Sequence, residues 1–518
     1  MAQMKTPGVY IVEKDAFGNG VVEVATAVPA FIGYTERAEN GGKSLLNKPM
    51  RITSIGEYNQ FFGGAPTYQF ELVAAGEAPE GDDAEGGAAE PDFVLKGKAY
   101  NLNTAGEKYR LFNAMRLFFQ NGGGPCYIVS VGSYKDAVEN AKLMDNGIPP
   151  LLKEEEPTMV VVPEAMNLSL EDCTSLQQAV LAHCNKMQSR IGILDIHDGY
   201  KERNHPDGDV IDNFRNGLGT NSLMYGAAYY PWIHTTVVGD SELGLSNFTQ
   251  ESLAVLQTLI MEELNVAPEA AEGESLKTTE LRELLTNIPK VMEDGYEGPS
   301  LADLNKTLIV ISPMFNHILT DIKGQLNLMS PAAAMAGIYT FVDNNRGVWK
   351  APANVSLSSV VRPAQNISHD EQEDLNVTLH GKSINAIRPF IGEGTLVWGA
   401  RTLDGNSKDW RYINVRRTMI MLEQSVKAAA KAYVFEPNDS NTWTTMKSMI
   451  DSFLYNQWKK GALVGASPED AYSVSVGLGS TMTGDDILEG ILRITVLVAL
   501  SRPAEFIEIT FQQQMQKS

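Results

Sequence analysis

The stretch "EKYRLFNAMRLFFQNGGGPCYIVSVG", residues 107–132, carries a helix and a strand in direct succession. Apolar residues recur at helical spacing from Leu111 to Phe119, and the glycines that follow are typical of a helix end. The run "PCYIVSVG" then has the length and composition of a buried strand. Because a helix leading into a buried strand is typical of α/β layers, this stretch predicts an α/β fold.

Apolar runs farther along the chain extend the same architecture. Four strand-sized runs predict buried, mainly parallel strands: "TMVVVP" (158–163), "RIGILDI" (190–196), "YGAAYYPWI" (225–233) and "TLIVIS" (307–312). A Ser-Pro pair opens a predicted helix at "SPAAAMAGIYTFV" (330–342). Two longer helices are predicted at 413–433 and 443–460, the second ending before Gly461. We therefore expect an α/β fold with some α+β character.

Composition and charge limit the classes of function. The 518 residues carry a formal net charge of −22, which argues against nucleic-acid binding because phosphates attract clustered cations. The three cysteines, Cys126, Cys173 and Cys184, are too few for a disulfide framework and indicate synthesis in a reducing compartment. No apolar run approaches the roughly 20 residues of a bilayer crossing, and the N-terminus does not resemble a secretory signal. We expect assembly in the cytoplasm without membrane insertion.

Three short motifs resemble chemical sites. The stretch "NGGKS" (40–44) resembles the end of a phosphate-binding loop, but Arg37 stands where that loop needs glycine, which favours a polar turn. In "DIHDGY" (195–200), two aspartates and a histidine follow a predicted strand, as a metal or acid–base site or a polar loop would. His183 and Cys184 are neighbours on a predicted helix and point in different directions. The sequence thus predicts no catalytic site, no metal site and no cofactor.

Both ends of the chain contain short strand-like segments. In "RPAEFIEITFQQQMQKS" (502–518), alternate apolar residues lie on one face, and no later strand is available to pair with them. Near the start, the apolar run Val9–Val12 precedes a glycine-containing stretch, "DAFGNG". Each segment could pair within its own chain or with a neighbouring molecule. Two acidic stretches, 76–92 and 262–275, are predicted to be surface insertions.

The C-terminal part resembles the tail sheath family of contractile phage tails, R-type pyocins and extracellular contractile injection systems. The resemblance is carried by "DNNRGVWKAPAN" (343–354), "IRPFIGEGTLVWGARTL" (387–403), "WRYINVRRT" (410–418), "YVFEPNDSNTW" (433–443), "FLYNQWKKGALVGASPEDAY" (453–472) and "RPAEFIEITF" (502–511). The N-terminal "KTPGVYIVEKD", "VPAFIGYTERA" and "FFQNGGGPCYIVSVG" are also similar to that family. Residues 133–342 match it more loosely.

The resemblance implies a multi-domain fold with extended arms that add strands to sheets of neighbouring subunits. It implies four parts: an N-terminal arm (1–20), an α/β region with the acidic insertions (21–342), a C-terminal inner domain (343–502) and a C-terminal arm (503–518). The arm residues expected to pair between subunits are Val9, Tyr10, Ile11, Val12, Phe506, Ile507, Ile509 and Phe511.

For function, the resemblance implies a structural sheath subunit that is not an enzyme and needs no cofactor. Its subunits would form stacked rings, expected to be six-fold, around an inner tube, together with baseplate and terminator or cap proteins. Contraction from a metastable extended state would drive the tube through a target envelope. The particle would then be released by lysis or anchored to a membrane. The alternatives are a sheath paralogue, a terminator or a baseplate component of such a particle, and a soluble α/β enzyme.

A local excess of positive charge suggests a surface that faces the tube. Residues 411–460 contain eight Lys or Arg and four acidic residues, within a chain whose net charge is −22. Weak electrostatic contacts suit a surface that must release during contraction. The candidates for contact with an acidic tube are Arg416, Arg417, Lys447, Lys459 and Lys460. The alternative is that these are solvated helix charges.

Overall fold

The computed structural model describes residues 20–74, 93–95, 97–270, 274–293, 295–379 and 381–510. The acidic stretch 76–92 lies outside these ranges, as do the predicted arm residues Val9, Tyr10, Ile11, Val12 and Phe511. The chain divides into two compact units. The larger unit comprises the described residues of Ala27–Arg346 and Ala351–Arg416, and the smaller one comprises the described residues 20–26, Gly347–Lys350 and 417–510.

The larger unit contains seventeen of the strands that the structure describes. They are β1 (Pro29–Thr35), β2 (Glu39–Asn40), β3 (Lys43–Ser44), β4 (Met50–Ile52), β5 (Gln69–Ala74), β6 (Phe93–Leu95), β7 (Lys98–Ala105), β8 (Cys126–Ser133), β9 (Met159–Val161), β10 (Ile191–Asp195), β11 (Gly226–Tyr230), β12 (Ile233–Thr235), β13 (Leu328–Met329), β14 (Val355–Ser356), β15 (Val360–Pro363), β16 (Asn385–Phe390) and β17 (Gly394–Trp398).

Ten α-helices of the described chain accompany these strands. They are α1 (Ile55–Phe62), α2 (Leu111–Gln120), α3 (Leu170–Met187), α4 (Val210–Gly217), α5 (Gln250–Glu263), α6 (Leu276–Leu285), α7 (Leu301–Ile311), α8 (Pro313–Leu326), α9 (Ala332–Arg346) and α10 (His369–Asn376). The smaller unit contains most of α11 (Ile413–Ala430), with α12 (Ser440–Lys460), α13 (Pro468–Ala471), β18 (Tyr472–Val476), α14 (Gly484–Leu488) and β19 (Ile494–Val498).

A nine-stranded sheet organises the larger unit. Its strand order is β14-β17-β16-β11-β10-β9-β1-β8-β4, and the six strands from β16 to β8 run parallel. Strands β1, β9, β10 and β11 are fully buried, which explains why they appear in the sequence as continuous apolar runs rather than alternating ones. The predicted α/β fold with mixed sheets is confirmed.

The order of the parallel strands places a crevice at one edge of this sheet. Among the parallel strands of this sheet, the next in the chain after β1 is β8, which pairs on one side of β1. The one after that is β9, which pairs on the other side. The direction of the chain across the sheet therefore reverses between β1 and β9. In open α/β sheets, the carboxyl ends of strands at such a reversal form the crevice where ligands bind.

One predicted strand is wrong. Residues 307–312 belong largely to the helix α7, which begins after Ser300, whose side chain accepts a hydrogen bond from the Asp303 amide. Leu304 and Leu308 are buried, whereas Val310 is 83% exposed, as expected for a helix with one apolar face. The apolar run "LIVI" suggested a strand because a run this short fits both the two-residue period of a strand and the 3.6-residue period of a helix.

The described residues of the acidic stretch 262–275 lie beside core helices. Glu262 and Glu263 end α5, residues 267–270 are exposed, and Val266 is buried in a hydrophobic core, while the prediction of a surface insertion stays a prediction. The Glu263 carboxylate accepts a hydrogen bond of 2.9 Å from the Met314 amide at the start of α8. This stretch therefore connects core helices, because its apolar residue and one of its carboxylates bind neighbouring elements.

The smaller unit is built around the two predicted long helices. Helix α12 begins at Asp439, whose side chain accepts hydrogen bonds from two first-turn amides, and ends at Gly461 with φ 88°. That left-handed φ favours glycine, and the lysines of the last turn complement the helix dipole, as the sequence predicted. Both helices contribute to a core that includes Leu422, Ile450 and Phe453.

The two compact units divide the chain differently from the predicted domains. Residues 351–416 group with the larger unit, whereas the sequence placed them in an inner domain that starts at residue 343. That inner domain remains a prediction about the assembled particle. Among the helices in the described part of the chain, none is both long enough and apolar enough to cross a membrane.

Candidate functional site

The C-terminal segment of the smaller unit follows β19 and begins with a few backbone contacts. The Val464 amide donates to the Ala499 carbonyl at 2.8 Å, and the Ser501 amide donates to the Ala462 carbonyl at 3.2 Å. From there to Thr510 the described chain forms no helix or strand. The side chains of Phe506, Ile507 and Ile509 are 74%, 78% and 70% exposed, respectively. Three large exposed apolar side chains so close together in the chain are typical of a surface that binds a partner.

A small sheet lies in the same unit. Strands β18 and β19 pair antiparallel from Tyr472 opposite Val498 to Val476 opposite Ile494, and within the described residues this sheet has two strands. Val474 and its neighbours on one face pack against the core that α11 and α12 form. A two-stranded sheet of this kind has outer edges whose backbone groups can accept a further strand.

The predicted basic residues fall into two groups. Arg416 and Arg417 are both 4% exposed. The Arg416 guanidinium stacks over the ring of Trp410 at 4.3 Å, and Arg417 Nη2 donates to the Thr26 carbonyl at 3.0 Å. The side chains of both arginines are thus buried in the single chain, and their contact with a tube stays a prediction.

The three lysines of the set lie on the surface of the smaller unit. Lys447 is exposed. Lys459 Nζ lies 4.5 Å from the centroid of the Tyr455 ring, and Lys460 Nζ lies 2.6 Å from a carboxylate oxygen of Glu23. These lysines remain candidates for an electrostatic contact.

The "DIHDGY" loop has a structural explanation for each polar group. Asp195 Oδ1 accepts a hydrogen bond of 2.7 Å from the Ala332 amide, at the start of α9. His197 Nε2 lies 2.8 Å from the Leu168 carbonyl oxygen, and Asp198 forms an ion pair of 3.0 Å with Lys201. His197 Nδ1 also lies 3.9 Å from Asp198 Oδ2, but each group has a partner outside the motif, which favours the polar-loop interpretation. Across the described residues, no cluster of three or more His, Cys, Asp or Glu could hold a metal ion.

The other two motifs also have structural roles. The "NGGKS" stretch forms the β2–β3 hairpin, in which Gly41 and Gly42 have φ of 55° and 77° at the turn. Burial raises the pKa of the Cys184 thiol to about 12, so the thiolate is scarce at neutral pH. Burial and the nearby Arg190 charge lower the pKa of His183 to about 4. A reactive Cys–His pair is therefore not formed.

Glu164, which no sequence motif revealed, fills the crevice at the β1–β9 reversal. It follows β9, is fully buried, and its Oε1 accepts hydrogen bonds from the amides of Tyr34, Arg110 and Leu111 at 3.4, 3.3 and 3.1 Å. Two of these amides form the N-terminus of α2, a position where helices bind anions. Burial raises the pKa of Glu164 to about 7, against these backbone hydrogen bonds, which lower it.

Asp195 likewise binds the N-terminus of a helix with its carboxylate, at the end of the next strand of the sheet. It ends β10, and its carboxylate binds the first turn of α9 through the Ala332 amide. Burial raises the pKa of Asp195 to about 6, although Ser330 and the Ala332 amide oppose this. At the edge where α/β proteins bind phosphates, this chain therefore supplies two carboxylates of its own.

Comparison with known proteins relates the chain to contractile sheaths. A model of the phage tail sheath C-terminal domain matches residues 406–514. The tail sheath protein of Vibrio phage KVP40 is 29% identical over 166 residues, which are 32% of this chain and 25% of that protein. The tail sheath protein of Burkholderia phage BcepMu is 27% identical over 135 residues, which are 25% of this chain and 28% of that protein. The chain thus matches about a quarter of the length of these curated relatives.

Solved structures extend the similarity to the whole chain. A chain in the contracted helical sheath of the anti-feeding prophage is 26% identical, with a TM-score of 0.60 and coverage of 99% of this chain and 100% of that one. A chain in the six-fold symmetrised baseplate of the same particle is 27% identical, with a TM-score of 0.58 and the same coverage. The chain is therefore similar over almost its whole length to chains of a contractile particle, and residues 406–514 match the phage tail sheath C-terminal domain.

Proposed function

We propose that this protein is the structural sheath subunit of a contractile injection machine and has no enzymatic activity. Copies of the chain stack as six-fold rings around an inner tube and contract from a metastable extended state, which drives the tube through a target envelope. The observation that carries the proposal is the open C-terminal segment with its exposed apolar side chains, Phe506, Ile507 and Ile509. Its support is the full-length fold similarity to a contracted helical sheath.

The C-terminal arm, residues 503–518, links one subunit to the next. At about 3.3 Å per residue, the eight described residues from Pro503 to Thr510 reach roughly 26 Å when extended, enough to leave the subunit surface. Burial of each large apolar side chain contributes about 1.5–3 kcal/mol to docking. The N-terminal arm, residues 1–20 with Val9, Tyr10, Ile11 and Val12, adds a second strand of the same kind.

The open edges of the β18–β19 sheet accept such strands. Backbone hydrogen bonds to β18 or β19 supply affinity, and the alternating side chains of the arm fix its register. Because the bonds lie between an arm and a rigid sheet, subunits can rotate as rigid bodies during contraction while they remain linked.

Some of the exposed lysines of α12 contact the tube in this proposal. Lys447, Lys459 and Lys460 lie on one helix of the smaller unit and carry net positive charge in an acidic chain. Exposed ion pairs contribute about 0–1 kcal/mol each and weaken with salt, so the sheath can hold the tube and still slide along it. The chain would then be part of a phage-tail-like particle with baseplate and cap proteins, assembled in the cytoplasm and later released by lysis or anchored to a membrane.

The second candidate is another component of the same particle, such as a baseplate-proximal sheath paralogue or a terminator. The similarity to a chain in a baseplate structure favours it. The two candidates differ in polymer length, because a repeating subunit forms long cylinders and a terminator or adaptor forms single rings.

Electron microscopy of the chain with its tube protein tests the proposal. We expect long striated cylinders from the full chain and none from a variant ending at Arg502, which retains the Ser501 contact with Ala462. A paired variant, Ile507→Lys with Ile509→Lys, should also fail, whereas Thr510→Lys, on the opposite face, should assemble. If the full chain stays monomeric with its tube protein, the proposal of a sheath subunit is refuted. If the truncated chain forms cylinders, the arm does not link subunits and pairs within its own chain.

A further inference from the structure

A small cavity lies beside the two internal carboxylates, at the carboxyl edge of the nine-stranded sheet. Its volume is about 40 Å³, and Lys108, Arg110, Asn113, Asp195 and Ser330 contribute to its lining. At about 10–15 Å³ per water, this volume holds roughly three water molecules. A carboxylate-sized group would replace that number of waters.

Two cations line this cavity close together in the chain. Burial lowers the pKa of the Lys108 ammonium, and the charge that lowers it further is the guanidinium of Arg110. Arg110 is held in place, because its Nε donates to Asn167 Oδ1 at 2.6 Å and its guanidinium lies 4.9 Å from the centroid of the Trp232 ring. An anion between Lys108 and Arg110 would relieve the repulsion that the folded chain imposes on them.

The ends of two helices add to this positive field. The first turn of α2 begins at Arg110, and the first turn of α9 follows Ser330, both in the cavity lining. Two cations and two helix N-termini of about half a charge each give roughly +3, against −2 for ionised Asp195 and Glu164. The region therefore keeps an excess of about one positive charge even when both carboxylates are ionised.

We propose that this cavity is a binding site for a small oxyanion, a carboxylate or phosphate group held between Lys108 and Arg110. The anion is either a free ion or the side-chain carboxylate of a neighbouring copy of the chain. The binding site itself rests on the cavity and its charges, and only the assignment of the anion's source rests on the proposed sheath function.

The site should bind anions more tightly as the pH falls. The titratable groups around it are Lys108, Arg110, Asp195 and, through Arg110, Glu164, with the phenols of Tyr68 and Tyr109, whose pKa values burial raises. Protonation of Asp195 and Glu164 removes negative charge from the region at acidic pH, whereas the cations keep their charge. The raised pKa of Tyr68 keeps its phenol neutral throughout.

Isothermal titration calorimetry on the full chain, under conditions that keep it unassembled, tests the site with acetate, formate and phosphate in chloride buffer of matched ionic strength. We expect saturable binding by the unaltered chain, at least tenfold weaker binding by Lys108→Gln, and unchanged binding by Lys135→Gln, whose lysine is exposed on the same unit. Circular dichroism checks that both variants fold. Absence of saturable binding by the unaltered chain, or equal binding by Lys108→Gln, would overturn the proposal.

The source of the anion is then assigned by polymerisation in chloride buffer. Cylinders from Lys108→Gln that match those of Lys135→Gln assign the site to a free ion. Loss of cylinders in Lys108→Gln alone assigns it to the carboxylate of a neighbouring copy.

Discussion

Replacement of Glu164 by glutamine should remove a large part of the pH dependence of stability. Glu164 is fully buried behind β9, and its Oε2 finds no hydrogen-bond partner among the described atoms. Glutamine keeps the oxygen that accepts from the amides of Tyr34, Arg110 and Leu111, and it carries no charge at any pH. The variant therefore mimics the protonated carboxyl group of the native protein.

The size of the effect follows from the pKa of this group. Burial raises the pKa of Glu164 from 4.5 to about 7 in the folded chain. Between these pH values the folded state holds a proton that the unfolded chain has released, so the stabilisation is complete below about 4.5 and is lost as pH rises through 7. A difference of two to three pKa units corresponds to about 3 kcal/mol, at about 1.4 kcal/mol per unit.

Urea unfolding of the unassembled chain between pH 5 and 8 measures this difference. The free energy of unfolding of the native chain should fall as the pH rises from 5 to 8. That of Glu164→Gln should fall less, so that the variant is more stable than the native chain by about 3 kcal/mol at pH 8. Asp195, whose pKa burial raises to about 6, accounts for part of the remaining slope, and Asp195→Asn should reduce it. Equal slopes for the native chain and Glu164→Gln would refute the reasoning, because the carboxyl group would then titrate as it does in the unfolded chain.

Three further substitutions test local packing. Asp439→Ala should lower the free energy of unfolding by about 1 kcal/mol in urea titrations, because two first-turn amides of α12 lose their acceptor. Gly337→Ala should cost about 1–3 kcal/mol by the same measurement, since the added Cβ would lie 2.6 Å from the Phe118 carbonyl oxygen, and an unchanged midpoint would show that α2 and α9 can move apart. Lys460→Gln should change the melting temperature by less than about 2 °C, because its pair with Glu23 is half-exposed, and a larger loss would mean that this contact is coupled to others.

The sequence predicted the elements that are buried on both faces or that carry local signals for their ends. Buried parallel strands such as β10 and β11 are covered on both faces, so their apolar runs leave little choice of structure. Helix α12 was predicted with its end, because Gly461 and the preceding lysines are local signals. The segment 307–312 was not, since only the packing of Leu304 and Leu308 against other helices decides its period.

The sequence did not reveal the internal carboxylates. Glu164 and the α2 amides that it binds are more than 50 residues apart in the chain, and no motif connects them. Their proximity is a product of the sheet order, which brings the end of β9 next to β1 and the start of α2. The burial of Arg416 was missed for a related reason, because a helical charge looks the same in sequence whether it faces solvent or the ring of Trp410.

The internal carboxylates connect the fold to the proposed mechanical role. A crevice at a strand-order reversal is usually left open for a ligand, and an open crevice lets the flanking helices move when the ligand leaves. Here Glu164 ties β1, β9 and α2 together through one oxygen, and Asp195 ties β10 to α9. A subunit that must rotate as a rigid body under load gains from this arrangement, because the anions that hold the helices cannot dissociate. In the proposed mechanism the arms at the chain ends keep neighbouring subunits linked during contraction, while the sheet moves as one body.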